Sequence, residues 1–302
     1  MPELPEVETM RRGVLPIVGH RIVAAERPPC GRKPILFQPA IAQFDRRVRD
    51  RRISGIDRLG KRVIIELEDD QAIVIEPRMT GLVLLADPPG PEHLRLRLTL
   101  AGDRCEEMLF WDRRGLGTVR LLTAEQLRRD VRDRLGPDAT KISAEQLREN
   151  LRHSRRVIKV GLLDQAAVAG IGNLYAAEIL FVAGVDPRTR CDKLSRPQWQ
   201  RIHAGIGLVL GEAIEHEGST LSDGTYRNAL NNEGSYQNYH RVYDRAGLGC
   251  GRCRAGVIRR IVQAQRSTFF CPICQRKTGR HASVGGFEVS PAAGSAVQSE
   301  RC

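Results

Sequence analysis

Four cysteines spaced Cys250-x2-Cys253 and Cys271-x2-Cys274, with seventeen residues between the pairs, constrain this chain more than any other feature of it. Two Cys-x-x-Cys knuckles one hairpin apart make a tetrahedral thiolate set for a single structural Zn2+. Two disulfides are the competing reading, and they require an oxidising compartment. The start of the chain speaks against one, because Glu3, Glu6 and Glu8 are the wrong opening for a secretory signal. No run of about 20 apolar residues offers a membrane span, so a cytoplasmic protein is expected. Cys30, Cys105, Cys191 and Cys302 show no pairing pattern and read as free thiols. Between the knuckles, Gly256 to Val262 and Arg266 to Phe270 read as the two strands of a hairpin held by the metal.

This module is strongly basic. From Arg245 to Arg280 there are nine Arg or Lys residues and no acidic one, and four thiolates with one Zn2+ subtract only two charges. The whole chain carries a net charge of +12, mostly as arginine, which forks onto phosphate better than lysine does. Nucleic acid is the leading partner, although a ribosomal or membrane-surface role would leave the same electrostatic mark. Arg266, near the hairpin turn, is placed to reach a phosphate.

The 302 residues suggest two main domains. Strands are expected at Arg21 to Glu26, Arg62 to Leu67, Ala72 to Ile75, Leu94 to Leu100, Met108 to Trp111 and Thr118 to Leu122. They imply an antiparallel sandwich flanked by a helix from about Pro5, over residues 1–125. The pattern loses its regularity over 126–142, which reads as a linker containing Gly136-Pro137. Helical periodicity follows over 143–239: a capped helix from Ser143 to about Leu151, one near Arg156 to Asp164, one from Asn173 to Ala183 and one from Pro197 to His216. The zinc module fills 240–280, and the Ser-, Ala- and Gly-rich 281–302 reads as a disordered tail.

The first residues carry possible chemistry. Pro2 is small enough for Met1 removal, which would leave a secondary amine beside the Glu3 carboxylate. An α-amino group titrates near 8, so a modest downward shift makes it a nucleophile, and a secondary amine attacking an aldehydic carbon yields a charged iminium. Glu3 would then do general acid-base work. The plainer reading makes Pro2 to Glu8 an ordinary helix start, with proline and acids in the first turn. A second pointer is Gly170-Ile-Gly172-Asn173 at a helix start, where bare backbone N–H groups and the Asn173 amide form an anion site, or where glycines merely permit close packing. Lys61, in Leu59-Gly60-Lys61-Arg62, is either a turn lysine reaching a phosphate or proton, or a solvated one. Met79, and Arg114 with Leu116, sit on turns where they could fill the hole left by a displaced base or pack as core.

Taken together, Met1-Pro-Glu-Leu-Pro-Glu-Val-Glu-Thr9, Ala169-Gly-Ile-Gly-Asn-Leu-Tyr-Ala-Ala-Glu178 and the cysteine module with Gln265-Arg-Ser-Thr-Phe-Phe-Cys271 resemble the formamidopyrimidine-DNA glycosylase family over about Met1 to Lys277. The resemblance implies an α+β multidomain fold: an N-terminal β-sandwich, a helix-two-turn-helix domain and a zinc-finger hairpin, with damaged duplex DNA bound between the lobes by a monomer associated with the bacterial nucleoid. It implies removal of 8-oxoguanine and formamidopyrimidines in base excision repair, followed by strand cleavage through β,δ-elimination. Pro2 would attack C1′ and Glu3 would serve as acid-base catalyst. Lys61 would serve β-elimination and Arg266 phosphate binding and δ-elimination. Asn173, His93, Arg114 and Lys159 would contact DNA. Met79, Arg114 and Leu116 would fill the void left by the base, and Cys250, Cys253, Cys271 and Cys274 would hold the zinc. Two stretches depart from the family pattern. Asp112-Arg-Arg-Gly-Leu-Gly117 stands where the family usually has Asp-Pro-Arg-Arg-Phe-Gly, so a leucine replaces the aromatic wedge. The loop after Thr220-Leu221, from Ser222 through Tyr239, diverges as well. Rival expectations are an endonuclease VIII-like preference for oxidised pyrimidines, against which Leu4 speaks, and a catalytically silent binder of damaged DNA.

Overall fold

The computed structural model describes residues 2–102, 105–221 and 224–276; the expected tail lies outside them, as do Ser222 and Asp223 of the divergent loop. The N-terminal lobe carries, in chain order, α1 (Leu4–Gly13), β1 (Arg21–Glu26), β2 (Leu36–Gln38), α2 (Ile41–Val48), β3 (Ile53–Leu59), β4 (Arg62–Leu67), β5 (Gln71–Glu76), β6 (Gly81–Leu84), β7 (Leu94–Ala101), β8 (Glu107–Asp112) and β9 (Thr118–Thr123). One sheet runs β1-β7-β8-β6 and the other β2-β9-β5-β4-β3. Pairing is antiparallel except between β2 and β9.

Period two explains the sandwich. Val63, Ile65, Ile73, Ile75, Val119 and Leu121 enter the core between the sheets, where they meet Leu96, Leu98, Met108 and Phe110. The intervening Ile64, Val74 and Leu122 form a separate apolar patch on the outer face. Each such side chain contributes roughly 1.5–3 kcal/mol when fully buried. β6 escapes the alternation test because all four of its residues are buried, and β3 because its register shifts between Ile53 and Gly55. The eight-residue α2 buries only Phe44 and Val48, too brief a stripe to stand out.

The segment 126–142 is not plain linker. Thr123 and Gln126 form a capping box that starts α3 (Ala124–Asp130), and Leu127 and Val131 cover the outer patch of the five-stranded sheet. The second lobe contains α4 (Ala144–Leu151), α5 (Ile158–Gly161), α6 (Asn173–Ala183) and α7 (Arg196–Glu215). Ser143 and Gln146 cap α4, and Gly184, at φ 64°, ends α6 in the left-handed conformation that glycine adopts without strain. The helix expected over Arg156 to Asp164 shrinks to α5 because its C-terminal end serves the glycine turn instead. The Asp164 carboxylate accepts from Ala166 N at 3.0 Å, and Gln165 Oε1 from Gly170 N at 2.9 Å.

The finger hairpin is β10 (Arg259–Gln263) and β11 (Arg266–Phe270). β10 starts later than Gly256 because that residue lies against the thiolates. Phe269, Val242 and Ile258 pack onto Ala177 and Phe181 of α6. Buried Glu178 of α6 accepts the backbone N–H groups of Arg241, Val242 and Tyr243 at 2.9, 2.9 and 2.7 Å, which fixes the chain's entry into the finger. Among the described residues no helix is long and apolar enough to cross a membrane.

An ion network pins the lobes together. Arg58, at the end of β3, donates to Glu8 Oε2 of α1 at 3.0 Å and to Asp138 Oδ2 at 2.7 Å, and its side chain is only 7% exposed. Burial works to raise the Glu8 carboxyl, but hydrogen bonds from Arg11, Arg12 and Arg58 overcome it and hold it at about 2. A depressed carboxylate stabilises the fold fully above its ordinary value of 4.5, and this contribution disappears as pH falls towards 2. Wild type should therefore exceed Glu8→Gln by about 2 kcal/mol at pH 7 and match it near pH 2, measured by urea unfolding across that range.

Candidate active site and metal centre

Glu3 is the pivot of the cleft between the lobes. Its backbone begins α1, while its side chain crosses to the start of α6, where Leu174 N donates to Oε1 at 2.9 Å and Tyr175 N lies 3.4 Å from Oε2. The anion site that the sequence offered at this helix start thus holds a carboxylate of the chain itself. The two glycines permit that approach: a Cβ on Gly172 would fall 2.2 Å from Glu3 Cδ, and one on Gly170, at φ +108°, 2.4 Å from Leu4 Cδ1. Packing and anion binding are therefore both true of the glycine motif.

Glu6 lies behind Glu3 and was legible only as a helix-start acid. Its Oε2 accepts Glu3 N at 2.8 Å, and its Oε1 accepts Ser219 N at 2.9 Å and the Tyr175 hydroxyl. Burial first, and then the neighbouring Glu3 charge, push its carboxyl upward. Ser219 Oγ in turn contacts His240 Nε2 at 3.0 Å, so a buried polar chain runs from the N-terminus to the entry of the finger.

Three cations surround the cleft. Lys61 Nζ donates to Ile171 O at 2.9 Å, and burial lowers its ammonium, with Glu3 opposing that shift and Arg266 adding to it. Lys159, buried in α5, donates from Nζ to Asn173 Oδ1 at 2.7 Å, while Asn173 Nδ2 donates to Ser267 O at 3.0 Å. Arg266, Ser267, Asn173, Glu3, Glu6, Met79 and Leu221 line one opening of about 410 Å³. Pro2 is buried and shares a void of about 10 Å³ with Met79, Ser219 and Leu221, directly adjoining that opening. Pro2, Glu3, Lys61, Asn173, Lys159, Arg266 and Met79 are thus brought together.

The remaining expected residues lie to one side. Arg114 and Leu116 project from the β8–β9 turn, with Leu116 43% exposed. Buried Asp112, to which sequence reading gave no role, builds that turn: Oδ2 accepts Gly117 N at 2.7 Å, and Oδ1 accepts the Thr80 hydroxyl at 2.5 Å. Thr80 follows Met79, so the two candidate wedge turns form one unit. His93 packs edge-on against Trp111 at 5.4 Å, and burial lowers its imidazolium.

The four cysteines fit a tetrahedral metal ion. The four Sγ atoms lie within 4.8 Å of one another, with Cys250–Cys274 at 3.8 Å and Cys253–Cys271 at 3.7 Å. A tetrahedron with Zn–S bonds of about 2.3 Å has edges of about 3.8 Å. A Cβ on Gly256 would lie 2.7 Å from Cys271 Sγ, so the turn beside the thiolates admits no larger residue.

Known proteins are similar to this chain over most of its length. Residues 1–119 match the formamidopyrimidine-DNA glycosylase N-terminal domain and residues 135–225 the formamidopyrimidine-DNA glycosylase H2TH domain. The formamidopyrimidine-DNA glycosylase of Chloroflexus aggregans is 38% identical over 277 residues, covering 91% of this chain and 98% of that protein. The chain belongs to the formamidopyrimidine-DNA glycosylase family. Its Streptococcus mutans relative of the same name is 36% identical over 92% of this chain and the whole of that one. The solved complex of Lactococcus lactis Fpg with abasic-site DNA superposes with a TM-score of 0.81 at 34% identity, covering 91% of this chain and 100% of that one. A solved structure of MutM with DNA containing carbocyclic 8-oxo-G gives 0.80. The expected α+β fold, with sandwich, helical domain and four-cysteine hairpin, is the family's. As a member of this family the chain is an enzyme, a DNA glycosylase.

Lys159 offers a pH test at this site. Burial lowers it to about 8, so it is a cation at neutral pH and loses its charge above that value. Affinity for an abasic-site duplex should decline as pH rises from 7 to 9. If the buried Lys159 charge helps to hold DNA, Lys159→Met should flatten that decline in a fluorescence-anisotropy titration, and an unchanged profile would show that it does not.

Proposed function

We propose that this enzyme is a bifunctional DNA glycosylase and abasic-site lyase that acts as a cytoplasmic monomer on oxidised purines in duplex DNA. The observation that carries the reading is the convergence of Pro2 and Glu3 with Lys61, Asn173 and Arg266 on one basic cleft. Once Met1 is removed, the Pro2 nitrogen attacks C1′ of the damaged nucleotide and the bond from C1′ to the base breaks, the departing base taking up a proton. Glu3 takes the proton that the Pro2 nitrogen sheds on attack and passes it to the ring oxygen as the sugar opens, which leaves an iminium between Pro2 and C1′. Loss of a C2′ proton to a base then expels the 3′ phosphate. Lys61 suits that proton transfer, since burial lowers its ammonium and thereby favours the free amine. Arg266 stands at the cleft mouth to hold phosphate through the second elimination. The four cysteines hold one structural Zn2+, which fixes the hairpin carrying Arg266.

Related proteins have been solved with Fapy-dG and carbocyclic 8-oxo-G, which supports the purine reading, and one also with DNA containing an oxidised pyrimidine, so excision rates on both lesion classes decide between them. The test is borohydride reduction during turnover on 8-oxoguanine or abasic duplexes. Wild type should be trapped as a covalent complex at least about tenfold more efficiently than Pro2→Gly. Equal trapping would show that the proline's secondary amine is not required, and a native N-terminus that keeps Met1 while activity persists would remove the Pro2 amine from the mechanism.

A further inference from the structure

One end of the five-stranded sheet delivers the residues of the cleft. The β3–β4 hairpin presents Lys61, the end of β5 leads through Arg78 to Met79, and β9 starts after Leu116. Register places Leu59 opposite Arg62, Glu76 opposite Thr118 and Val74 opposite Arg120, so these strand ends are level with one another. On the outer face the apolar patch of Ile64, Val74 and Leu122 lies under α3. Two residues further along each strand, on that same face, stand Arg62, Glu76 and Arg120.

The charges there do not balance. Arg62 Nε is 3.3 Å from Glu76 Oε2 and Arg78 Nε 3.1 Å from Glu76 Oε1, so one carboxylate faces two arginines; Arg120 is a third, its charge shared with Asp130 of α3, which is itself paired with Arg129. Burial lowers the Arg62 guanidinium, and the charges of Arg120 and Arg78 counteract the help it receives from Glu76. Arg78 is 54% exposed and sits at φ +56°, a left-handed conformation that costs a side-chain-bearing residue energy. None of these groups takes part in the chemistry described above. A guanidinium cluster with surplus positive charge, beside the lysine and methionine that line the cleft, is complementary to a run of phosphates.

We propose that Arg62, Arg78 and Arg120, braced by Glu76, form a further phosphate-binding subsite that grips the DNA backbone on the outer side of the sheet end presenting Lys61. The proposal rests on the DNA-binding reading and adds a contact to it. Glu76 holds the guanidinium groups in place and tempers their pull, which makes it a residue that sets affinity.

The experiment is a salt titration of binding to an abasic-analogue duplex. Arg78→Gln and Arg120→Gln should each reduce the slope of log K against log salt by about 0.9, the release expected from one phosphate contact. Arg78→Gly suits the left-handed backbone and should show the same loss of slope, which separates charge from strain. Glu76→Gln keeps the side chain's shape and should bind more tightly than wild type at low salt. Thermal melting of each variant identifies any that fail to fold. Wild-type slopes in both Arg78 variants and in Arg120→Gln would overturn the subsite while leaving the DNA reading intact. A Glu76→Gln protein that folds but binds more weakly would overturn it as well. Absence of salt-dependent binding in the wild type would remove the DNA reading itself.

Discussion

A Glu3→Gln enzyme should release the damaged base roughly 10²–10⁴-fold more slowly than wild type, the range in which a positioned acid-base group contributes. The substitution separates chemistry from architecture. Glutamine can still accept Leu174 N through its oxygen, now held at 2.9 Å, so the link across the cleft survives. Its amide nitrogen would face Tyr175 N, donor against donor, where Oε2 lies at 3.4 Å. A cost of about 1 kcal/mol, the usual size of a lost cap, is expected in urea unfolding. DNA affinity should change little, because the Glu3 side chain is taken up by the start of α6 and does not hold phosphate. Single-turnover excision on an 8-oxoguanine duplex decides the matter: a rate within threefold of wild type, with the stability loss still present, would leave Glu3 a structural cap.

That double duty shows what the sequence could and could not disclose. The adjacency of Pro2 and Glu3 is covalent and readable at sight, as are the cysteine spacing and the Ser143 capping box. Glu3's reach to Leu174, 171 residues away, is a product of the fold. The glycine motif was ambiguous because its two readings describe the same physical fact: absence of side chains admits both the chain of Leu4 and the carboxylate of Glu3. Arg58 and Asp138 are 80 residues apart, and nothing local marks either as a partner. Glu6 was hidden in another way, since an acid in a first helical turn already has a sufficient explanation. Asp112 could be read as part of a turn, but its bond to Thr80, which ties the Leu116 turn to Met79, depends on the β6–β8 pairing. That tie bears on the family departure at Leu116. The turn keeps a rigid base while it carries Leu116 for the aromatic, Gly115 for an arginine and Arg113 for the proline, so any functional difference at this turn would come from those side chains rather than from a looser backbone.

Removing the metal should reach further into the active site than removing any one DNA contact. β11 supplies Ser267 O to the Asn173 amide at 3.0 Å, places Thr268 Oγ1 3.5 Å from Lys159 Nζ, and carries Arg266 to the cleft mouth. Asn173 opens α6, next to the N–H groups that hold Glu3. The hairpin is short, and its small core includes Cys250 and Cys271, so the thiolate cluster is a large part of what fixes it. Structural zinc binding is folding free energy in modules of this size. Cys253→Ser should lose stoichiometric zinc by atomic absorption and bind an abasic duplex on the order of a hundredfold more weakly, about 2.8 kcal/mol. Arg266→Ala, which removes one contact and leaves the hairpin in place, should cost less. The sandwich core shares no residue with the finger and should still unfold cooperatively in the Cys253→Ser protein. If that protein is metal-free yet keeps wild-type affinity, the hairpin is held by its protein contacts to α6 and the helical domain, and the zinc has no part in gripping DNA. If Arg266→Ala weakens binding as much as Cys253→Ser does, the metal acts only by placing that one arginine.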